Sequence, residues 1–98
     1  MKIQHTLQNV VFEWDNQKAA TNFRKHNVRF ELACEAFFDP FVCYVDEEIV
    51  GSELRERLVG LTTTWLLLLV VYVMRGDVIR IISARLVTKA EREIYENQ

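Results

Sequence analysis

The sequence predicts an α+β protein in the order β-α-α-β-β-β-β-α, with helices packed on one face of a largely antiparallel sheet. Three observations lead there. A chain of 98 residues has room for a single domain, residues 1–98, with one two-layer core. Three glycines and one proline leave little chain for long irregular connections. Short β-branched and aromatic runs are separated by two stretches with helical spacing of apolar residues.

Residues 1–8 show no periodicity and are expected to form a flexible arm. Val10 to Trp14 (VVFEW) reads as the first strand. Asp15 is a good N-cap for a helix from Asn16 to His26, with Ala19, Ala20 and Phe23 on one side. Asn27 suits its C-terminal cap, because asparagine tolerates the left-handed conformation. A second helix is expected from Phe30 to Phe38, with Phe30, Ala33, Cys34 and Phe37 facing a core, and Asp39-Pro40 stops it. Phe41 to Val45 is a predicted strand, and Asp46 to Ser52 an acidic loop. Three further strands are expected at residues 55–62, 66–73 and 78–84, with Arg75-Gly76-Asp77 as a tight turn before the last. The run from Leu66 to Val73 has no polar alternation, so it should be central and covered on both faces. Thr88-Lys89-Ala90-Glu91 fits a capping box opening a final helix that ends near Glu96.

Half the residues are apolar and 27% are charged, which excludes a mainly disordered chain. Cys34 and Cys43 match no metal-ligand spacing and are read as small reduced core residues. The apolar run WLLLLVVYVM, residues 65–74, falls short of the roughly twenty residues of a transmembrane helix. No membrane association is expected, and with no targeting segment visible the predicted location is the cytoplasm. The net charge of −2 conceals a pattern. Residues 1–30 and 75–92 each carry five basic and two acidic side chains, whereas residues 31–74 carry two basic and eight acidic. Such a chain binds nucleic acid only locally, where its two basic segments meet, or else its charges are simply solvated.

Three blocks carry a family resemblance. They are FEWDNQKAATNFRKHNVRFELACEAFFDP (residues 12–40), ERLVGL (56–61) and RGDVIRIISARLVTKAEREIYE (75–96). In order and spacing they resemble the BrnT toxins. Asn27 stands where that family commonly has glycine, and Thr62 to Trp65 replace the glycine or charged residues often found between the middle strands. The resemblance implies a RelE-like fold and a ribonuclease that arrests translation by cutting RNA. It also implies a small DNA-binding antitoxin as partner, with operator DNA bound only through the toxin–antitoxin complex. The assembly would be a toxin dimer or a toxin–antitoxin heterotetramer.

RNA cleavage without a metal uses the neighbouring 2′-hydroxyl as nucleophile. It needs a base for that proton, an acid for the leaving 5′-oxygen, and fixed cations for the charge growing on phosphorus. No cofactor and no metal are expected. Arginine suits the cationic role because its rigid fork matches phosphate oxygens. Arg80 and Arg85 lie on or just after the last strand, on opposite faces if the strand runs unbroken. Arg80 either binds phosphate or fixes the sheet through an ion pair, with Glu56 as candidate partner. Arg57 is a candidate for the same cluster, although Glu56 and Arg57 alternate in direction. Tyr95, on one side of the last helix with Arg92, either stacks on a base or docks that helix. Lys25 and His26 end the first helix. His26 either favours the negative end of the helix dipole or serves as acid or base. The acidic stretch Asp46-Glu47-Glu48 is either a solvated loop or a seat for a basic antitoxin segment. The competing functional reading is a non-catalytic binding module of the same fold that holds an antitoxin-like partner.

Overall fold

A computed structural model describes all residues, Met1–Gln98. In chain order the elements are β1 (Lys2–Leu7), β2 (Val10–Asp15), α1 (Asn16–His26), α2 (Phe30–Ala36), β3 (Cys43–Val50), β4 (Glu53–Leu61), β5 (Leu67–Arg75), β6 (Val78–Leu86) and α3 (Lys89–Glu96). The strands form one sheet in the order β1-β2-β6-β5-β4-β3. Only the β2–β6 pair is parallel. The α+β class and the central place of β5 follow the sequence reading; three other expectations do not hold.

The arm expected over residues 1–8 is instead strand β1, paired with β2 from Lys2↔Asp15 to Leu7↔Val10. Its turn uses Gln8 and Asn9, both at positive φ (49° and 68°), the geometry that matches strand twist in a two-residue hairpin. Ile3 and Leu7 pack on the main core. The expected acidic loop is also strand: β3 continues through Glu47 and Glu48 to Val50, and Gly51 turns the chain at φ +63°.

The third correction concerns the helices, which do not share one face. Leu58, Leu68, Val70, Tyr72, Ile81 and Ala84 form the main core with Phe12, Trp14 and residues of α2. Val59, Leu67 and Leu69, pointing the other way, form a small second cluster packed by Val87 and by Tyr95 of α3. Thus α1 and α2 cover one face, and α3 covers only one end of the other. Two close approaches set the first layer. A Cβ on Gly60 would lie 2.3 Å from the Ala36 carbonyl oxygen, so only glycine lets α2 sit this low. The aromatic rings of Phe12, Phe37 and Tyr72 meet edge to face at centroid distances of 5.2 and 4.9 Å.

Helix α1 starts and ends as expected, with the Asp15 carboxylate accepting from Lys18 N–H and Asn27 left-handed at φ 57°. What fixes it, however, is not an apolar stripe. Ala20 is exposed, and Phe23 lies at the rim under the Arg29 guanidinium, 4.4 Å from the ring centroid. The buried residue is Asn22. Parallel pairing of β2 to β6 stops at Glu13↔Arg80, leaving the later part of that β6 edge open. The Asn22 side chain closes it, donating to Ala84 O (2.8 Å) and Val28 O (3.0 Å) and accepting from Ala84 N (3.1 Å). An amide here substitutes for a strand, since buried backbone polar groups need partners.

Candidate functional site

Cross-strand partners in a sheet share a face, so the ladder registers locate the charged side chains of the strands. Arg57 pairs with Val71, Val71 with Ser83, Val73 with Arg80, and Leu69 with Arg85. All lie on the face away from α1 and α2. Arg55, two residues before Arg57, joins them, and so does Arg75, two beyond Val73. Five arginines therefore stand on one side of three adjacent strands. Unbroken alternation would have sent Arg80 and Arg85 in opposite directions. A bulge in the β5–β6 ladder, where Tyr72 pairs with Ile81 and Val71 with Ser83, skips Ile82 and brings both to the same face.

Four of these arginines are tied to carboxylates. Arg57 forks onto Asp46 at 2.6 and 3.1 Å, and Arg85 onto Glu91 at 2.8 and 2.9 Å. Arg75 meets Glu53 at 2.7 Å. Arg80 meets Glu13 at 3.0 Å, with Lys2 on the other carboxylate oxygen at 3.4 Å. The expected Arg80–Glu56 pair does not form. Glu56 lies opposite Tyr72, on the other face of the sheet, and accepts from the Tyr72 hydroxyl at 3.4 Å. Burial pushes the Glu13 carboxyl up, but the Arg80 hydrogen bond and the Lys2 charge more than offset this and hold it below its ordinary value. Glu91 is held low chiefly by its hydrogen bonds from Arg85.

Arg55 differs. It takes part in none of these ion pairs, and its Nε is out of contact with solvent and has no hydrogen-bond partner. A buried guanidinium N–H without an acceptor is costly, and Glu48 is the direct cross-strand partner of Arg55. Sequence reasoning missed this residue. The available signal was its spacing of two from Arg57 in a strand, which puts the two on one face.

At the border of this face, α1 and β6 form a groove of about 420 Å³ whose lining includes Lys18, Lys25, His26, Ile82 and Ser83. The Asn22 anchor sets α1 against β6, so exposed Lys25 and His26 stand beside Ser83, and Ser83 lies between Arg80 and Arg85 along β6. Lys25 and His26 thus stand at the edge of the sheet beside Ser83, in a groove that no arginine lines. Tyr95 lies elsewhere. Its hydroxyl donates to Asp39 Oδ2, and burial together with that carboxylate pushes it up to about 12. Asp39 also accepts from Phe41 N–H and Leu61 N–H, so this contact docks α3 on the connection between α2 and β3. Of the seven candidate residues, Arg57, Arg80 and Arg85 share one sheet face, Lys25 and His26 line the groove at its edge, and Glu56 and Tyr95 point elsewhere.

The arrangement is an arginine-rich sheet surface, most of whose arginines are held by carboxylates, edged by a histidine-bearing groove. Known proteins give the context. A family profile described as the ribonuclease toxin BrnT of a type II toxin–antitoxin system matches residues 14–91. The chain belongs to the BrnT family. Among solved structures, that of the Brucella abortus ribonuclease toxin BrnT is similar, with a TM-score of 0.52 and 21% identity over 78% of this chain and 94% of the other. That likeness speaks to the fold. No curated protein matches the sequence. The profile takes in Arg55, Arg57, Arg80, Arg85, Lys25 and His26, but leaves out β1 and most of β2, and Tyr95 lies beyond its end. Membership in a type II family also implies an antitoxin partner. No helix of this BrnT chain is long and apolar enough to cross a membrane.

Proposed function

We propose that the chain is an endoribonuclease toxin that arrests translation by metal-independent cleavage of RNA, with the RNA backbone on the arginine face. The observation that carries this reading is the set Arg55, Arg57, Arg80 and Arg85 on one side of β4 and β6, next to the groove that holds Lys25 and His26. In the reaction a 2′-oxygen attacks the adjacent phosphorus, and the bond to the 5′-oxygen breaks. The products are a 2′,3′-cyclic phosphate and a free 5′-hydroxyl. His26 is the proton carrier at the groove. Arg55 and Arg80 offset the charge that grows on the phosphoryl oxygens. Arg57 and Arg85, held rigidly by Asp46 and Glu91, position the strand. Tyr95 anchors α3, and Glu56 serves the opposite face. A small DNA-binding antitoxin neutralises the toxin, and operator DNA is engaged through their complex.

The ion pairs favour one alternative, a non-catalytic binding module. Three of the four arginines already have carboxylate partners, as expected if they only fix the sheet. Induced expression in bacteria separates the two. The ribonuclease reading expects growth arrest and loss of intact mRNA with the wild-type chain, and neither with Arg55→Ala. Normal growth and intact RNA from soluble, folded wild-type protein would leave the binding module.

A further inference from the structure

The face under α1 and α2 is covered only in part. The β3–β4 hairpin and the end of β5 run out past α2, and side chains that would belong to a core lie open there. Ile49 opposes Leu54 across the hairpin, and Met74 opposes Ile79 of β6. By strand alternation Leu54 and Met74 follow Glu56 and Tyr72 on this same face. Ile49 is 74% exposed, Tyr44 66%, Met74 47% and Leu54 43%. Contiguous apolar side chains on a sheet surface mark a contact site more often than scattered ones do.

Two carboxylates lie within this patch. Glu47 and Glu56 are direct cross-strand partners, a like-charge pairing that destabilises a sheet. Neither has a cation within ion-pair distance, in contrast to Glu13, Asp46, Glu53 and Glu91 on the other face. Beside them is a cleft of about 270 Å³ lined by Tyr44, Val45, Asp46, Glu47 and Glu56. The free chain thus keeps two opposed negative charges at the mouth of a cleft, next to bare apolar surface, and lacks the positive group that would reconcile them.

We propose that the antitoxin docks on this patch. One of its segments lays apolar side chains against Ile49, Leu54 and Met74 and seats a lysine or arginine between Glu47 and Glu56. The proposal rests on the toxin reading above. Charge selects this occupant. RNA is repelled by the two carboxylates, and a second copy docking through the same patch would bring four carboxylates together. The antitoxin would then bind on the sheet face opposite the arginines.

The test uses the full chain and the purified product of the reading frame adjoining its gene, with affinity measured by calorimetry. Glu47→Lys and Ile49→Asp, both at exposed positions, are each expected to weaken the complex by about 30-fold or more. Arg55→Ala should stay within about threefold of wild type. The free Glu47→Lys chain should cleave RNA at the wild-type rate, and its Tm should rise by about 2–4 °C as the like-charge pair becomes an opposite one. A lysine-to-glutamate change in the antitoxin segment should restore binding to Glu47→Lys. Wild-type affinity in both patch variants, with binding lost in Arg55→Ala, would overturn the proposal by moving the partner to the arginine face while leaving the toxin reading intact. An unchanged or lower Tm for Glu47→Lys would remove the argument for a missing cation. A wild-type chain that neither cleaves RNA nor binds the neighbouring product would overturn the toxin reading, and this proposal with it.

Discussion

The two faces of the sheet are held by different physics. Under α1 and α2, shape decides: Phe12, Phe30, Leu58 and Leu68 are fully buried, and Gly60 admits the Ala36 backbone with no room for a methyl group. On the opposite face, α3 covers only the end near Leu67 and Leu69. The remainder is a lattice of charges in which Arg57, Arg75, Arg80 and Arg85 each form an ion pair, while Arg55, across from Glu48, forms none. A surface built for stability alone would use apolar residues there, since ion pairs at a partly exposed surface contribute little. Stability and activity should therefore be separable by face.

Phe12→Ala should break the helix-covered face most severely. It empties a fully buried aromatic site, and about 4 kcal/mol of unfolding free energy should be lost in chemical denaturation. The counterpart on the other face is Arg55→Ala. Cleavage should fall by about 100-fold or more, equivalent to about 3 kcal/mol of transition-state stabilisation, while stability holds or rises as the unpartnered buried N–H is removed. If Arg55→Ala unfolds the protein, the division between faces fails. Asn22→Ala comes next, because it strands Ala84 N–H and C=O at the open edge of β6. A loss of about 2 kcal/mol is expected in thermal unfolding, together with slower cleavage as α1 loosens from the groove. Tyr95→Phe should have the smallest effect, about 1 kcal/mol from the lost hydrogen bond to Asp39, with cleavage unchanged under conditions where the variant is folded.

Acid sharpens the same contrast. Glu13, Glu91 and Asp39 all titrate below their ordinary values of 4.5, 4.5 and 3.8. Carboxyls depressed in the folded state contribute stability that is fully present above those ordinary values and is lost as pH falls through the lower, folded ones. Stability should therefore hold down to about pH 5 and decline below it. An Arg85→Ala chain should show a shallower decline, because Glu91 then loses the main cause of its shift.

Much of this was legible in the sequence. Asp15 and Asn27 bracket α1 at the positions their chemistry predicts, the capping box of α3 is present, and the apolar run of β5 is central. Local signals sufficed there because caps and buried strands are decided by a few neighbouring residues. The misses were non-local. Strand β1 has a Gln8-Asn9 turn lacking the usual glycine, and β3 carries acidic residues that suit an edge strand but read as a loop. The arrangement of Arg80 and Arg85 depends on a bulge at Ile82 that nothing in RIISAR announces. Residue type alone suits Glu56 to Arg80, but the register places Glu56 across from Tyr72, on the other face of the sheet. Asn22 gave no signal, because its value lies in a β6 edge left open 62 residues later.

The most direct test is a cleavage assay with purified protein, a defined single-stranded RNA and no added metal, comparing wild type with Arg55→Ala at matched folded fraction. The wild type should give fragments ending in 2′,3′-cyclic phosphate, and the variant a rate at least about 100-fold lower. Equal rates from the two proteins would contradict this, since the unpaired arginine of the charged face would then have no part in the reaction.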